Sequence, residues 1–206
     1  MTHSLHRRGT SDSLGDDYVM LVLTGFDRAG DPDVKKEMRE MWDILESRQE
    51  DLANFGTIRG GGRHRKTIAD FRELGGFMIH AVFKERTGLE GVLAEIKKRR
   101  LSLSVTVSGL HKEAGETCRA LGLQPHTVQY SLGVMGKTDL LPDEEILEVT
   151  TMCGHAMVSP HLLTQLLQKV RDGKLSHRDA SIELSRQCEC GIFNPDRAER
   201  LLRQMG

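Results

Sequence analysis

The chain has 206 residues, with 29 Lys and Arg against 30 Asp and Glu for a net charge of −1, 38% hydrophobic residues and 4% aromatic residues. That length fits one large domain or two small ones, and no apolar run approaches the ~20 residues of a membrane-spanning helix. A balanced charge removes any global pull toward nucleic acid or a membrane surface, and so few aromatics leave little for single-stranded bases to stack on.

Residues 1–17 read as a disordered leader. Ser, Thr, Gly, His and charged side chains bury too little surface to offset chain entropy. Arginines without an apolar stretch do not make a secretory signal. Four cysteines in a chain without such a signal are expected in a reducing cytoplasm, as ligands, catalysts or core residues rather than disulfides.

Residues 18–137 are expected to form an α/β domain. Tyr18 to Leu23 is a short apolar run ended by Thr24-Gly25, hence a strand. Asp31 caps a helix that Pro32 opens, and Val34, Met38, Met41, Trp42 and Leu45 recur at helical spacing as a core stripe. Phe77 to Phe83 reads as a strand, then Thr87 or Gly88 opens a helix with Leu89, Val92, Leu93 and Ile96 on one face. Lys97-Lys98-Arg99-Arg100 closes that helix with cations where its dipole favours them. Leu101 to Val107 alternates with Ser and Thr as a half-buried strand, Leu110 to Leu121 reads as a helix with Cys118 on its buried stripe, and Val128, Tyr130 and Leu132 mark a further strand. The order fits an α/β sandwich, ferredoxin-like or an open doubly wound sheet.

From 138 to 206 the pattern is helical throughout. Pro142 with acids behind it, Ser159-Pro160, Ser176 with Asp179, and Asn194-Pro195 each read as a helix start. Leu162, Leu163, Leu166, Leu167 and Val170 form a buried stripe, as do Ala180, Leu184 and Cys188. This is expected as a small helical domain.

Two stretches carry chemistry. Arg59-Gly60-Gly61-Gly62-Arg63-His64-Arg65-Lys66 puts three glycines among four fixed cations. Glycine lets backbone N–H groups converge on an oxyanion and arginine adds bidentate contacts, so Arg59, Gly60, Gly61, Gly62, Arg63, Arg65 and Lys66 are candidate contacts for an anionic small molecule. The segment matches neither a P-loop nor a dinucleotide fingerprint, and a solvated basic loop is its bland reading. His111, at a strand-to-helix turn, joins the anion candidates because ligands bind at such turns in α/β sheets.

Cys153-Gly154-His155 and Cys188-Glu189-Cys190-Gly191 hold three of the four cysteines at expected helix ends, with a helical hairpin between them that returns the chain. Cys153, His155, Cys188 and Cys190 are soft donors suited to zinc or an iron–sulfur cluster. His161 is a substitute ligand, and buried structural cysteines are the competing reading. The leading expectation is a metal- or cluster-binding protein, a redox or metal-dependent enzyme acting on an anion held by the basic loop. The competing one is a nucleic-acid-binding or regulatory module with structural cysteines, disfavoured by the lack of a basic recognition helix.

Overall fold

The computed structural model describes residues 6–206 except Arg59. Strand β1 (Tyr18–Leu23) joins β2 (Leu52–Thr57), β3 (Gly61–Gly62), β4 (Met78–Phe83) and β5 (Ser104–Ser108) in one sheet ordered β3-β2-β4-β1-β5. Every pairing is antiparallel. The chain is thus an α/β protein. Although one helix links β4 to β5, β1 lies between them, so the crossover joins strands that are not neighbours.

Several helices start where a side-chain cap satisfies their first N–H groups. Asp31 accepts from Asp33 N at 2.9 Å ahead of α2 (Pro32–Ser47), with Pro32 in the first turn. Thr67 and Asp70 exchange capping-box bonds at α3 (Ile68–Leu74), and α4 (Arg86–Arg99) ends in its basic turn. Helix α5 (His111–Ala120) follows β5. After an irregular, exposed stretch come α6 (Glu144–Thr150), α7 (Pro160–Arg171), α8 (His177–Ser185) and α9 (Pro195–Met205). Ser159, Ser176 and Asn194 cap the last three as the sequence suggests.

Side chains alternate across each strand, so the sheet has two buried faces. On one, Tyr18, Met20, Val22, Ile79, Ala81 and Phe83 meet Trp42, Phe71 and the apolar faces of α2, α3 and α4. Trp42 stacks on Phe71 with centroids 5.5 Å apart, and Phe55 meets both rings edge-on. On the other, Val19, Leu21 and Val82 meet Val149, Leu163, Leu184, Phe193, Ala198 and the three thiols. A bulge in β2 between Leu52 and Asn54 turns Asn54 toward this second face.

Three sequence expectations change. The stretch 1–17 is not a disordered leader from His6 onward: a short helix α1 (Ser11–Leu14) forms and Asp17 is fully enclosed. Its carboxylate pairs with Arg7 and, at 2.9 Å, with Arg197 of α9. A polar segment gains order here because its charges find buried partners, which composition does not record. Residues 1–5 lie outside the described residues. No strand forms at Val128 to Leu132; these side chains are exposed, because alternation makes a strand only where a neighbour offers backbone partners. Cys118 is half-buried rather than in the core. In α5 the inward position is Thr117, whose hydroxyl donates to Glu90 at 2.9 Å.

Candidate metal centre

Two turns deliver the thiols. Cys153 follows α6 in the turn to Ala156, and Cys188 and Cys190 lie between α8 and α9. All three are buried, and the structure brings them together. The Cys188 and Cys190 sulfurs are 3.9 Å apart, and the Cys153 thiol hydrogen-bonds to Cys188. His155, exposed at the rim, places Nδ1 3.7 Å from the Cys190 sulfur.

The Cys-x-Cys turn rests directly on the sheet. Gly191 has φ +71°, and a Cβ there would lie 2.6 Å from the Phe55 carbonyl oxygen. A Cβ on Gly56 would come within 2.9 Å of the Cys190 oxygen. Both positions require glycine because two backbones touch. His80, buried on β4 across from Gly56, donates through Nδ1 to the Cys190 carbonyl at 2.7 Å. Burial holds its ring neutral, opposed by that bond and by the charge on Cys188.

Asn54 ties the surrounding pieces. Its amide donates to Ser185 Oγ of α8 at 3.2 Å and to the Phe193 carbonyl at 2.8 Å. Its oxygen accepts from Phe55 N at 2.9 Å and Arg63 N at 3.0 Å. All four bonds an asparagine side chain can make are formed.

The glycine-rich loop packs against the same turn. Gly61 N donates to the Glu189 carbonyl at 2.8 Å. Arg65 donates to the Glu189 carboxylate at 3.2 Å and the Arg186 carbonyl at 2.8 Å. Arg63 reaches the Leu52 carbonyl at 2.6 Å and lies over the Phe55 ring, and Lys66 reaches the Gly60 carbonyl at 3.2 Å. Gly60, Gly61 and Gly62 let the loop turn inside these contacts: a Cβ on Gly62 would meet Asn54 Oδ1 at 2.6 Å. The cations expected to hold an external anion thus bond within the chain. Arg59 lies outside the described residues. His111 sits elsewhere, at the start of α5, with Nε2 3.0 Å from the Tyr130 hydroxyl, and His161 is exposed in the first turn of α7.

On the other side, Arg7 donates to the Ile192 carbonyl, and Arg8 N donates to Thr151 Oγ1 at 2.9 Å. One segment therefore braces both cysteine-bearing turns.

Hydrogen bonds tie the three thiols into one group. Hydrogen bonds from Cys153 and Cys190 hold Cys188 well below the usual thiol range, helped by the backbone N–H groups of Phe193 and Ile192. The same bonds to Cys188, with burial second, push Cys153 and Cys190 up and keep them protonated. Backbone N–H groups of His155 and Met157 point at Cys153, and that of Ile192 at Cys190. Each sulfur is presented as an acceptor. Among the described residues, no group of three or more His, Cys, Asp or Glu side chains is arranged to hold an ion as it stands.

Asn54, His80 and Arg7 were not among the sequence candidates. Asparagine inside an apolar strand-like run is the one signal that could have marked Asn54. His64, between two arginines of the loop, is a fourth: neither ring nitrogen has a hydrogen-bond partner, although both are shielded from solvent. Burial, then Arg65 and Arg186, lowers its pKa, while the Cys188 charge opposes them. The chain matches no family model, and comparison with curated proteins and with solved structures finds no similar protein, so its own residues carry the functional argument.

Proposed function

We propose that this protein holds a mononuclear metal centre through Cys153, Cys188, Cys190 and His155, with zinc preferred to an iron–sulfur cluster. The observation that carries the reading is three buried thiols brought together from two turns, with the Cys188 and Cys190 sulfurs 3.9 Å apart, His155 Nδ1 3.7 Å from the Cys190 sulfur, and each thiol facing backbone N–H donors. Neutral core cysteines need no such donors; thiolate ligands use them as an outer shell.

Spacing favours a single ion. Two thiolates about 2.3 Å from a tetrahedral ion stand about 3.8 Å apart, against 3.9 Å for Cys188 and Cys190. A thiolate and an imidazole on such an ion stand about 3.6 Å apart, against 3.7 Å for Cys190 and His155. The thiolates of a [4Fe–4S] cluster each bind a different iron and stand farther apart, whereas a [2Fe–2S] cluster, with two thiolates on one iron, is told from zinc by its acid-labile sulfide. Metal entry displaces the protons on Cys153 and Cys190 and turns the three sulfurs from one another toward the ion.

Three thiolates, one neutral imidazole and a divalent ion carry a net charge of −1. In this reading the anion that the basic loop serves is the centre itself, with Arg63, Arg65 and Arg186 nearby. The architecture we propose is a ferredoxin-like sandwich over 18–137 whose open face is covered by the helical unit 138–206, with the centre at their junction. A reducing, cytoplasmic setting suits free thiols.

Elemental analysis of anaerobically purified protein tests this. About one zinc per chain, replaceable by cobalt with thiolate-to-metal charge-transfer bands and lost in Cys188→Ser, is the expected result. Iron with acid-labile sulfide would replace zinc by a cluster. Metal-free protein whose three thiols alkylate independently would end both readings.

A further inference from the structure

The sheet ends differently on its two sides. At one end β3 is two glycines long, and the cysteine turn packs on it through Gly61 N and the Glu189 carbonyl. At the other end β5 is the last strand, and no further strand pairs beyond it among the described residues. Proteins guard such an edge with charge, proline or a bulge. From Leu101 to Leu110 there is no charged residue and no proline, and the register of β5 with β1 runs without a bulge. Leu101, Leu103, Val105 and Val107 pack on the aromatic core but are only half-buried.

The exposed stretch after α5 carries the matching pattern. From Ala120 to Gly136 no Asp, Glu, Lys or Arg occurs, in a chain that is 29% charged. Val128, Tyr130 and Leu132 alternate with Thr127, Gln129 and Ser131, just as Leu103, Val105 and Val107 alternate with Ser104 and Thr106. The three apolar side chains are 53%, 61% and 86% exposed. From Gln124 to Met135 no backbone group bonds to another among the described residues. Tyr130 ties the stretch, at 3.0 Å, to His111, the residue that opens α5, and Gly133 then turns the chain at φ +82°. A strand-patterned segment and an unguarded edge thus occur in one chain without pairing.

We propose that two copies of this chain associate by exchanging this segment, residues 127–132 of each adding a strand to the β5 edge of the other. An added strand takes its affinity from main-chain hydrogen bonds and its register from alternate side chains. The register here puts Val128, Tyr130 and Leu132 on the face of Val105 and Val107, extending the aromatic layer. Thr127, Gln129 and Ser131 fall on the face of Thr106. A two-fold axis repeats the joint, so each copy gives one segment and receives one. Both partners in the joint lack fixed charge, which fits them to each other rather than to nucleic acid or an anionic surface. The β5 edge lies at the opposite end of the sheet from β3 and the cysteine turn, so the association is independent of the metal reading.

Sedimentation equilibrium of the full chain tests this, with twice the 23.1 kDa chain mass as the expected result. Two variants block the two halves of the joint: Val128→Lys/Leu132→Lys on the segment and Ser104→Lys/Thr106→Lys on the edge. Each is expected to weaken the dimer about 30-fold or more, because it carries unpaired charge into the joint. All four side chains are exposed or half-exposed, and circular dichroism confirms that the variants fold. An equal mixture of the two should associate more tightly than either alone, since one intact segment then meets one intact edge. A chain that stays monomeric up to about 1 mM leaves the segment to a different partner and overturns the proposal. A segment variant that dimerises as well as wild type overturns it too, in favour of direct edge-to-edge pairing. So does a mixture no tighter than its components.

Discussion

The two faces of the sheet are built from different chemistry. One is hydrocarbon and aromatic: Trp42, Phe55, Phe71 and the apolar stripes of α2 and α4 close over Tyr18, Met20, Ile79 and Phe83. The other encloses Asn54, His80, Asn194, Arg197, Asp17 and three thiols among its aliphatic residues. Buried polar groups add nothing to a core unless they are satisfied, and a purely apolar face would be as stable or more so. A face that carries so many of them, nearly all bonded to one another or to the cysteine turns, is organised for something other than stability.

The largest effects separate the faces. Trp42→Ala is expected to cost about 4 kcal/mol in urea unfolding while, on the metal reading proposed above, zinc affinity of the folded fraction stays as in the wild type. Asp17→Ala leaves Arg7 and Arg197 buried without their carboxylate and is expected to cost about 4 kcal/mol as well. It should also weaken zinc retention, because Arg7 then no longer braces Ile192. Equal metal affinity in the two variants would remove the distinction between the faces.

Asn54→Ala is next. It strips partners from Ser185, Phe193, Phe55 and Arg63 at once, and a loss of about 3 kcal/mol is expected. Zinc affinity should fall about tenfold, as for other groups that orient ligands; chelator competition reads it. Gly191→Ala combines φ +71° with a contact to the Phe55 carbonyl and should cost about 2 kcal/mol, with a blue-shifted or weakened cobalt charge-transfer band as the local readout. Arg65→Ala removes an exposed pair with Glu189, worth under about 1 kcal/mol. A larger loss in thermal unfolding would mean that the loop carries more of the fold than its contacts suggest.

The apolar face was legible in the sequence because periodicity reports which residues face away from water. The stripe Val34, Met38, Met41, Trp42 and Leu45 is buried as its spacing requires. Caps were legible too, since Asp31, Ser159, Ser176 and Asn194 act within three residues of themselves. The candidate centre was half legible. Cys153, Cys188 and Cys190 could be picked out by type and spacing, but not the groups that hold them. Asn54 reaches the site through a bulge, Arg7 through a hydrogen bond to the Ile192 carbonyl 185 residues away, and the glycine-rich loop through Gly61 and Arg65, whose partners lie at the cysteine turn. Such contacts depend on topology, and a one-residue shift in β2 decides which way Asn54 faces.

The pairing of Asp17 with Arg197 joins residues 180 positions apart. It gives the molecule an order of assembly. All five strands precede Gly109 in the sequence, whereas the helices that cover Val19, Leu21 and Val82 come after Pro142. At typical synthesis rates of about 5–20 residues per second, the second face waits on the order of ten seconds for α9 to emerge. Through that interval the nascent sheet exposes apolar side chains together with Asp17 and Asn54, polar groups that resist sticking to other chains. The last helix, arriving with its arginine, covers the sheet and supplies the buried partner of Asp17.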